Sequence, residues 1–174
     1  MRLEAGKCYT QLENALAWPF EPNGDPMVKV NYEDLLAAVD FVSSGVLIEN
    51  SAYVSLDTGT IHWVSESEPI GEEELPADLE TSDRYIAIPH RNDLDLGKRL
   101  ALQFVERHLP HRYAAAEQIF QRRGAYARFK ELLAADAFLD KWYAFENEAI
   151  EQALQEWCEV NQLELDRTRN TESA

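Results

Sequence analysis

Residues 52–64 read "AYVSLDTGTIHWV", two short runs of β-branched and aromatic residues on either side of an Asp-Thr-Gly triplet. Such runs, separated by turn residues, are typical of a β-hairpin. Asp57 and Thr58 suit a type I turn, and Gly59 can adopt the positive φ that ends a three-residue loop. The stretch therefore predicts a hairpin over 52–64 whose loop is the triplet itself.

The same triplet carries the catalytic aspartate of aspartic proteases, so Asp57 has a second interpretation as a catalytic acid. That chemistry needs two carboxylates that share one proton, and therefore a second Asp-Thr/Ser-Gly triplet or a symmetric dimer. The chain has one copy, and the segments after Pro89 have helical patterns rather than those of a β-barrel. We therefore interpret Asp57 as a turn residue.

The segments around the hairpin predict an α+β fold. Before it, Asn31 suits the N-cap of an amphipathic helix that Gly45 ends. After it, "RYIAIP" predicts a strand at 84–88, and the remainder has helical periodicity. We expect a small three-stranded antiparallel sheet, formed by the hairpin 52–64 and the strand 84–88, packed with a mainly helical C-terminal half.

Three finer predictions follow from local patterns. A three-residue loop pairs Tyr53 with Trp63, and Ser55 with Ile61, on the face toward the core. Asn92 or Asp93 is expected to cap the first helix of the C-terminal half, which Pro110 ends. The buried stripe of the last helix is expected to consist of the following residues: Phe138, Trp142, Phe145, Ala149, Ala153 and Trp157.

A length of 174 residues suits one domain. Residues 1–26 end in "WPFEPNGDP", a loop-forming segment, and are interpreted as a peripheral N-terminal extension, with Met27 as the working start of the domain. We expect a single α+β domain over 27–165 and a disordered polar tail over 166–174.

The sequence favours a cytoplasmic protein with no membrane contact. It contains no apolar run of the roughly 20 residues that span a bilayer, and its N-terminus lacks the apolar core of a secretory signal. Cys8 and Cys158 are far apart and form no CxxC or CxxH spacing, so neither a disulfide framework nor a zinc site is indicated.

The charge is strongly negative and unevenly distributed. The net charge is −16, which argues against attraction of the whole surface to nucleic acid or anionic lipid. Residues 65–83 contain eight acidic and no basic residues, whereas residues 84–130 contain ten basic and four acidic residues, a local balance of +6. Most of the basic charge therefore lies in one segment.

The most distinctive part of that segment is "IFQRRGAYARFKELL", residues 119–133. Arginine beside aromatic rings is typical of surfaces that contact acidic proteins or nucleic-acid phosphates and bases. The alternative is that Phe120, Phe129, Leu132 and Leu133 are core residues, while the bases are solvated or hold the acidic 65–83 segment. The candidate binding residues are these: Arg122, Arg123, Tyr126, Arg128 and Lys130.

A metal site is a weaker alternative. His90, Asp93 and Asp95 lie close together in "PHRNDLD" and have the donor types that zinc, manganese or iron accept. No HExxH or paired-histidine spacing accompanies them, and aspartates at a helix N-terminus need no metal. No nucleophile motif or phosphate-binding loop is recognisable, and Cys158 falls on a buried helix side, so no cofactor is expected.

The segments "NYEDLLAAVDFVSS", "DRYIAIPHRNDLDLGKRLALQFVE", "RRGAYARFKELL" and "WYAFENEAIEQALQEWC" together resemble a bacterial uncharacterised protein family, number one-five-eight of the UPF series. The resemblance covers about Met27 to Leu165, and its most specific part is Gly124 to Lys130 followed by Trp142 to Phe145. It implies a small cytosolic α+β domain and assigns no catalytic residue.

Together these observations favour a binding or regulatory module rather than an enzyme. The basic segment predicts an acidic protein partner, or a second copy of the chain through its acidic 65–83 segment. RNA binding through the same residues is an alternative, and a metal-dependent hydrolase that uses His90, Asp93, Asp95 and a second histidine is another. We favour protein over RNA because the overall charge repels a long polyanion except at close contact.

Overall fold

The computed structural model describes residues 27–44, 50–65 and 75–168. The helices of these ranges are α1 (Tyr32–Ser44), α2 (Lys98–His108), α3 (Tyr113–Ile119), α4 (Ala125–Ala135) and α5 (Leu139–Val160). The strands are β1 (Val28–Asn31), β2 (Asn50–Ser55), β3 (Ile61–Ser65), β4 (Tyr85–Ala87) and β5 (Leu163–Asp166). A 3₁₀ turn, Pro110–Arg112, precedes α3. Within these ranges no helix has the length and apolar character needed to cross a bilayer.

The predicted antiparallel sheet is present, with strand order β3-β2-β4. Its central strand β2 buries Ala52 and Val54 completely, and α1 packs against β2 and β3 on that side. The C-terminal half is helical from α2 to α5. The α+β class and the hairpin-plus-strand composition of this sheet are therefore confirmed.

The hairpin loop is one residue longer than predicted. The backbone N–H of Ser55 donates to the carbonyl oxygen of Thr60 at 2.9 Å, so four residues, 56–59, separate the last hydrogen-bonded pair. Ser55 Oγ also accepts the N–H groups of Asp57 and Thr58, both at 3.3 Å, which starts the turn at Ser55. Asp57 is a turn residue, as predicted, and Gly59 has the expected positive φ of 77°.

The extra loop residue shifts the register by one. Tyr53 pairs with His62 and Ala52 with Trp63, so the predicted Tyr53–Trp63 and Ser55–Ile61 pairs are wrong. Because side chains alternate across a strand, this shift places Trp63 and Ile61 beside Ala52 and Val54 rather than beside Tyr53 and Ser55. The serine-capped turn is the local signal that the three-residue assignment overlooked.

A second sheet joins the two ends of the described chain. β1 and β5 pair in parallel, with Val28 opposite Leu163 and Asn31 opposite Asp166. Val30 is 0% exposed and Leu163 is 1% exposed, so the pair lies in the core. The sequence patterns did not reveal this sheet, because each strand has four residues and no turn signal connects them.

The predicted disordered tail over 166–174 needs correction at its start. Asp166 is the last residue of β5, and its carboxylate accepts the backbone N–H of Thr168 at 2.8 Å. The side-chain amide of Asn31 donates to the Thr168 carbonyl at 3.0 Å, which ties this segment to β1. The remainder of the tail, 169–174, lies outside the described residues, as does the proposed extension 1–26.

Asn31 also begins α1, as predicted. Its side-chain oxygen accepts the backbone N–H groups of Glu33 at 2.9 Å and Asp34 at 3.2 Å, which satisfies two of the unpaired donors of the first turn. The predicted helix end at Gly45 and the acidic residues 66–74 lie outside the described residues.

The predicted cap of α2 is wrong. Residues 91–97 form successive turns, and the helix starts at Lys98, after Gly97. The N–H of Leu96 donates to the carbonyl of Arg91 at 2.9 Å, and the Asn92 side chain occupies the space that a Cβ at Gly97 would need. The chain therefore folds back on itself before the helix can begin. The predicted end at Pro110 is confirmed by the capping residue Leu109.

The helical core is aromatic. The Trp142 ring meets the rings of Phe104 and Phe129 edge to face, with centroids 5.3 and 5.1 Å apart, and all three residues are 0% exposed. The Trp142 indole N–H has no hydrogen-bond partner in the described part of the chain, so packing stabilises its burial there.

The buried stripe of α5 changes direction along the helix. Trp142 is buried as predicted, but farther on the fully buried residues are Leu154 and Cys158 rather than Ala153 and Trp157, which are partly buried. At Trp142, α5 packs on Phe104 of α2 and Phe129 of α4, and the helix also contacts β5.

The hairpin loop fits closely against β1, which generates a test with two glycines. A Cβ on Gly59 would collide with the carbonyl oxygen of Lys29, in addition to the strain of its positive φ. Gly124 has a similar φ of 70°, but a Cβ there would meet the Arg128 side chain at an ordinary 3.6 Å. We expect Gly124→Ala to cost about 1 kcal/mol and Gly59→Ala roughly 3 kcal/mol, measured by urea unfolding. Equal costs would contradict the close approach.

Truncation tests the role of β5. A chain that ends after Thr168 should unfold cooperatively with nearly unchanged stability, because it keeps every contact of β5 within the described residues. A chain that ends after Gln162 loses the buried Leu163 and Leu165. Losing one buried leucine side chain costs roughly 2–5 kcal/mol, so the shorter chain should lose most of a typical domain's stability. Circular dichroism during urea titration measures both. A cooperative transition at an unchanged midpoint in the shorter chain would show that β5 is dispensable.

Candidate binding surface and adjacent cleft

The turn between α3 and α4 displays the candidate arginines. α3 ends at Ile119, and Gly124, in the left-handed region, caps the start of α4. Arg122 and Arg123 lie in this turn and are exposed. Arg128 is also exposed, and its guanidinium donates back to the carbonyl oxygen of Arg123. Three of the predicted cations are therefore grouped around one turn.

Aromatic packing anchors this turn to the core. Tyr126 is 39% exposed, and its ring meets that of Phe120 edge to face, with centroids 5.3 Å apart. Phe120 in turn lies 5.4 Å from the ring of the fully buried Phe129. Phe129 and Leu133 are core residues, as the structural interpretation of this segment predicted. Tyr126 is a surface residue on a fixed support.

Lys130 extends the surface toward α5. It lies one helical turn after Tyr126, and its ammonium is 5.2 Å from the centroid of the Tyr143 ring, which is 40% exposed. Tyr143 was not among the predicted residues, although it adjoins Trp142 in the sequence. We call the following group the basic-aromatic surface: Arg122, Arg123, Tyr126, Arg128, Lys130 and Tyr143.

The cations of the basic-aromatic surface lack the carboxylate partners that several other cations have, although Lys98, Arg107 and Lys141 also form no ion pair within the described residues. Arg84 pairs with Asp78 at 2.8 Å, and Arg112 makes two hydrogen bonds to Asp136, at 2.8 and 2.9 Å. Within residues 27–44, 50–65 and 75–168, no carboxylate forms an ion pair with any of the following: Arg122, Arg123, Arg128 and Lys130. The described part of the chain therefore leaves the charge of these four cations available to a partner.

A cleft of about 350 Å³ lies beside this surface. Its lining comes from four segments that are distant in sequence: the end of α1, the turns before α2, the first turns of α4 and the middle of α5. Tyr126 and Lys130 contribute from α4, so the cleft and the basic-aromatic surface share two residues. The complete lining is as follows: Ser43, His90, Arg91, Asn92, Leu96, Gly97, Tyr126, Lys130 and Glu146.

Arg91 connects three of these segments. Its guanidinium contacts the carboxylates of Asp40 at 3.2 Å and Glu146 at 3.4 Å, and its backbone N–H donates to Ser43 Oγ at 2.9 Å. The Arg91 side chain is 29% exposed and that of Glu146 is 16% exposed, so the bridge to α5 is partly shielded from water. Sequence reasoning missed both residues, because only the fold brings them together.

Two other cleft residues have defined chemical states. His90 Nδ1 accepts the backbone N–H of Asn92 at 3.0 Å, which leaves Nε2 as the donor of the neutral ring. Burial raises the pKa of the Tyr126 hydroxyl, Arg91 opposes this shift and Glu146 adds to it. Tyr126 is therefore a neutral hydrogen-bonding group at neutral pH, with Arg91 and Glu146 close enough to act on it.

The predicted alternative metal residues do not form a ligand set. Asp95 pairs with Arg99 at 2.8 Å, and His90 Nδ1 is engaged by the backbone. Across the described ranges, no group of three His, Cys, Asp or Glu residues is arranged to hold a metal ion. Cys158 is fully buried as expected, and burial, with a smaller contribution from Glu159, raises the pKa of its thiol to about 11.

Fold and surface together define a small α+β domain with an aromatic core, a basic turn and a polar cleft. The chain belongs to the Uncharacterised protein family (UPF0158), whose model matches residues 27–172. A 62-residue stretch, 36% of the chain, is 31% identical to a tRNA N6-adenosine threonylcarbamoyltransferase from Ureaplasma urealyticum serovar 10. That stretch corresponds to 19% of the transferase's length. No solved structure matches the chain.

The ion pair between Arg112 and Asp136 can be tested through the pH dependence of the protein's stability. Hydrogen bonds from Arg112 hold the pKa of Asp136 below its usual value, with further lowering by the charges of Arg112 and His111. A carboxyl whose pKa is lowered in the folded state stabilises the protein above its unfolded pKa of about 3.9 and loses this effect as the pH falls through the folded value. Asp136→Asn should therefore lower the urea midpoint at pH 7, and the difference should shrink below about pH 4. A difference that is constant from pH 7 to pH 2 would contradict this pairing.

Proposed function

We propose that the protein is a binding or regulatory module that contacts an acidic protein partner through its basic-aromatic surface. The observation that carries this proposal is the grouping of Arg122, Arg123 and Arg128 around one turn, without carboxylate partners among the described residues. Tyr126 follows in the first turn of α4, and farther along this helix the Lys130 ammonium lies near the ring of the exposed Tyr143. In a chain with a net charge of −16, such a grouping is most readily used by a ligand that brings its own carboxylates.

The residue types suit protein recognition. Arginine and tyrosine are enriched among the residues that dominate interface energies, because each combines a large contact area with directed hydrogen bonds. Arginine binds a carboxylate through two parallel hydrogen bonds, which fixes the partner's orientation. Tyr126 is held by Phe120, and Arg128 is held by the Arg123 carbonyl, so part of the surface is ordered before a partner arrives.

The acidic partner could also be a second copy of the chain. The segment 65–83 contains eight acidic residues, and a copy that offers this segment to the basic-aromatic surface would give a head-to-tail contact. Within its described part, Asp78 already pairs with Arg84, so the remaining carboxylates would form the contact. Such self-association would depend on protein concentration and weaken with salt.

RNA is the second candidate for the same surface. Tyr126 and Tyr143 expose ring area on which bases could stack, and the four cations could contact phosphates. The charge of −16 disfavours this alternative, because a long polyanion meets the acidic remainder of the molecule as well as the basic turn. RNA binding would fall much more steeply with salt than binding of a compact protein.

The test is a pull-down from host lysate with two charge-reversal variants. Arg122→Glu/Arg123→Glu reverses the turn, and Arg107→Glu/Lys141→Glu makes the same change of charge elsewhere. Lys141 follows the far end of α4, which spans roughly 16 Å at 1.5 Å per residue. Each lysate is divided into nuclease-treated and untreated halves, and any captured protein is then titrated in purified form.

We expect a nuclease-resistant acidic protein whose affinity falls about tenfold or more with the turn variant, at about 1.4 kcal/mol per tenfold, and much less with the matched control. Self-association would appear as a concentration-dependent sedimentation coefficient that the turn variant reduces. Capture of RNA, lost on nuclease treatment, would select the second candidate. Equal binding by wild type and the turn variant would refute the assignment of the surface.

A further inference from the structure

We propose that the cleft beside the basic-aromatic surface binds a small zwitterionic ligand, with a carboxylate or phosphate toward Lys130 and His90 and an ammonium group toward Glu146. This site is separate from the protein-binding role, although Tyr126 and Lys130 contribute to both. Its volume of about 350 Å³ falls within the range of small-molecule sites, roughly 300–1,000 Å³.

One side of the cleft offers hydrogen-bond donors to an anion. Lys130 lines it and has no carboxylate partner among the residues that the structure describes. His90 contributes an Nε2–H donor, since its Nδ1 is occupied by the Asn92 N–H. Tyr126 adds a neutral hydroxyl. Donors of this kind suit either a carboxylate or a phosphate.

The other side offers negative charge. Glu146 lines the cleft, and the Arg91 guanidinium that it contacts also contacts the carboxylate of Asp40. An Arg91 guanidinium between two carboxylates leaves the trio with a net charge of −1. An ammonium group that approaches Glu146 would therefore complete a balanced set of two cations and two carboxylates.

The balance of charges in the cleft favours a ligand that carries one positive and one negative group. The cations Arg91 and Lys130 and the carboxylates of Asp40 and Glu146 sum to zero, so a simple anion gains little net attraction and leaves Glu146 facing its negative charge. An amino carboxylate matches both sides without adding net charge, and an amino phosphate adds less negative charge than the simple phosphate does. Because Glu146 is partly shielded from water, its attraction for an ammonium group is less screened than that of a surface carboxylate.

The cleft is preformed, which lowers the entropic cost of binding. Arg91 fixes the ends of α1 and the middle of α5 relative to the turns before α2. The missing Cβ of Gly97 lets the Asn92 side chain pack against the backbone, which holds His90 and its hydrogen bond in place. A ligand therefore does not need to order these segments itself.

The test uses two matched probe pairs and amide chemical-shift titration of the full chain. β-Alanine is compared with propionate, and phosphoethanolamine with ethyl phosphate, so the members of each pair differ only by an ammonium group. We expect saturable shifts at Asn92, Gly97, Tyr126 and Lys130. The zwitterion of at least one pair should bind about fivefold tighter than its simple anion, the effect of a single favourable ion pair. The better pair identifies the anionic group.

Three variants test which side chains bind the anionic group and the ammonium group of the ligand. Lys130→Gln should weaken both members of the better pair, whereas Glu146→Gln should abolish only the advantage of the zwitterion. The amide of Glu146→Gln retains an acceptor for Arg91, and a thermal melt confirms folding of both variants. Arg107→Gln, which changes a residue outside both the cleft and the basic-aromatic surface, should bind all four probes as the wild type does.

The absence of saturable cleft shifts with all four probes would overturn the proposal. Equal affinity within both pairs would do the same, because it would remove the role of Glu146. Failure of the protein-binding proposal would be distinguishable: the Arg122→Glu/Arg123→Glu variant would then leave partner capture unchanged, while these titrations would still respond to Glu146→Gln.

Discussion

The parallel pairing of β1 with β5 is the constraint on which the rest of the fold depends. Parallel strands cannot be joined by a tight turn, and here nearly the whole domain, from α1 to α5, serves as the connection. The pair is stabilised by the buried Val30 and Leu163 and by the Asn31 amide, which bonds to the Thr168 carbonyl. Contacts of such long sequence separation form slowly and at a high entropic cost, so this closure is expected late in folding.

The candidate site inherits its geometry from that closure. Asn31 both ends β1 and caps α1, so it fixes where the helix that carries Asp40 begins. At the other end, β5 follows α5 after a short turn and thereby positions the helix that carries Glu146. Arg91 then bridges the two helices. A binding cleft at this junction depends on strands that contribute no residue to it.

Local signals accounted for those parts of the structure that are determined locally. The hairpin, the Asn31 cap, the helix stop before Pro110 and the core role of Phe129 all follow from short patterns. The one-residue register error shows the limit of such patterns, because a single serine hydroxyl decided the loop length. The β1–β5 sheet was missed since pairing across most of the chain leaves no local trace.

The same division applies to the candidate site. Arg122, Arg123, Tyr126 and Arg128 were predictable because one turn and the first helical turns after it bring them together. The cleft was not predictable, because Ser43, Arg91 and Glu146 converge only through tertiary packing. Tyr143 is intermediate between these two cases. Its position beside Trp142 can be read from the sequence, but its contact with Lys130 depends on the packing of α4 on α5.

The strongly acidic character of the chain shapes both proposed sites. At physiological ionic strength charges are screened over about 8 Å, so a partner in contact with the basic-aromatic surface responds to the nearby cations far more than to the net charge of −16. At longer range, the acidic remainder repels polyanions and provides no steering toward an acidic partner.

Selectivity must therefore come from fixed geometry at contact rather than from long-range attraction. In the basic-aromatic surface, this geometry is provided by the aromatic support of Tyr126 and by the turn at Gly124. In the cleft, it is provided by the Arg91 bridge, which holds the carboxylates of Asp40 and Glu146 in fixed positions. A ligand binds favourably there only if its positive and negative groups are spaced to meet Glu146 and Lys130 respectively. The acidic background thus favours compact partners with a defined shape over extended polyanions at both places.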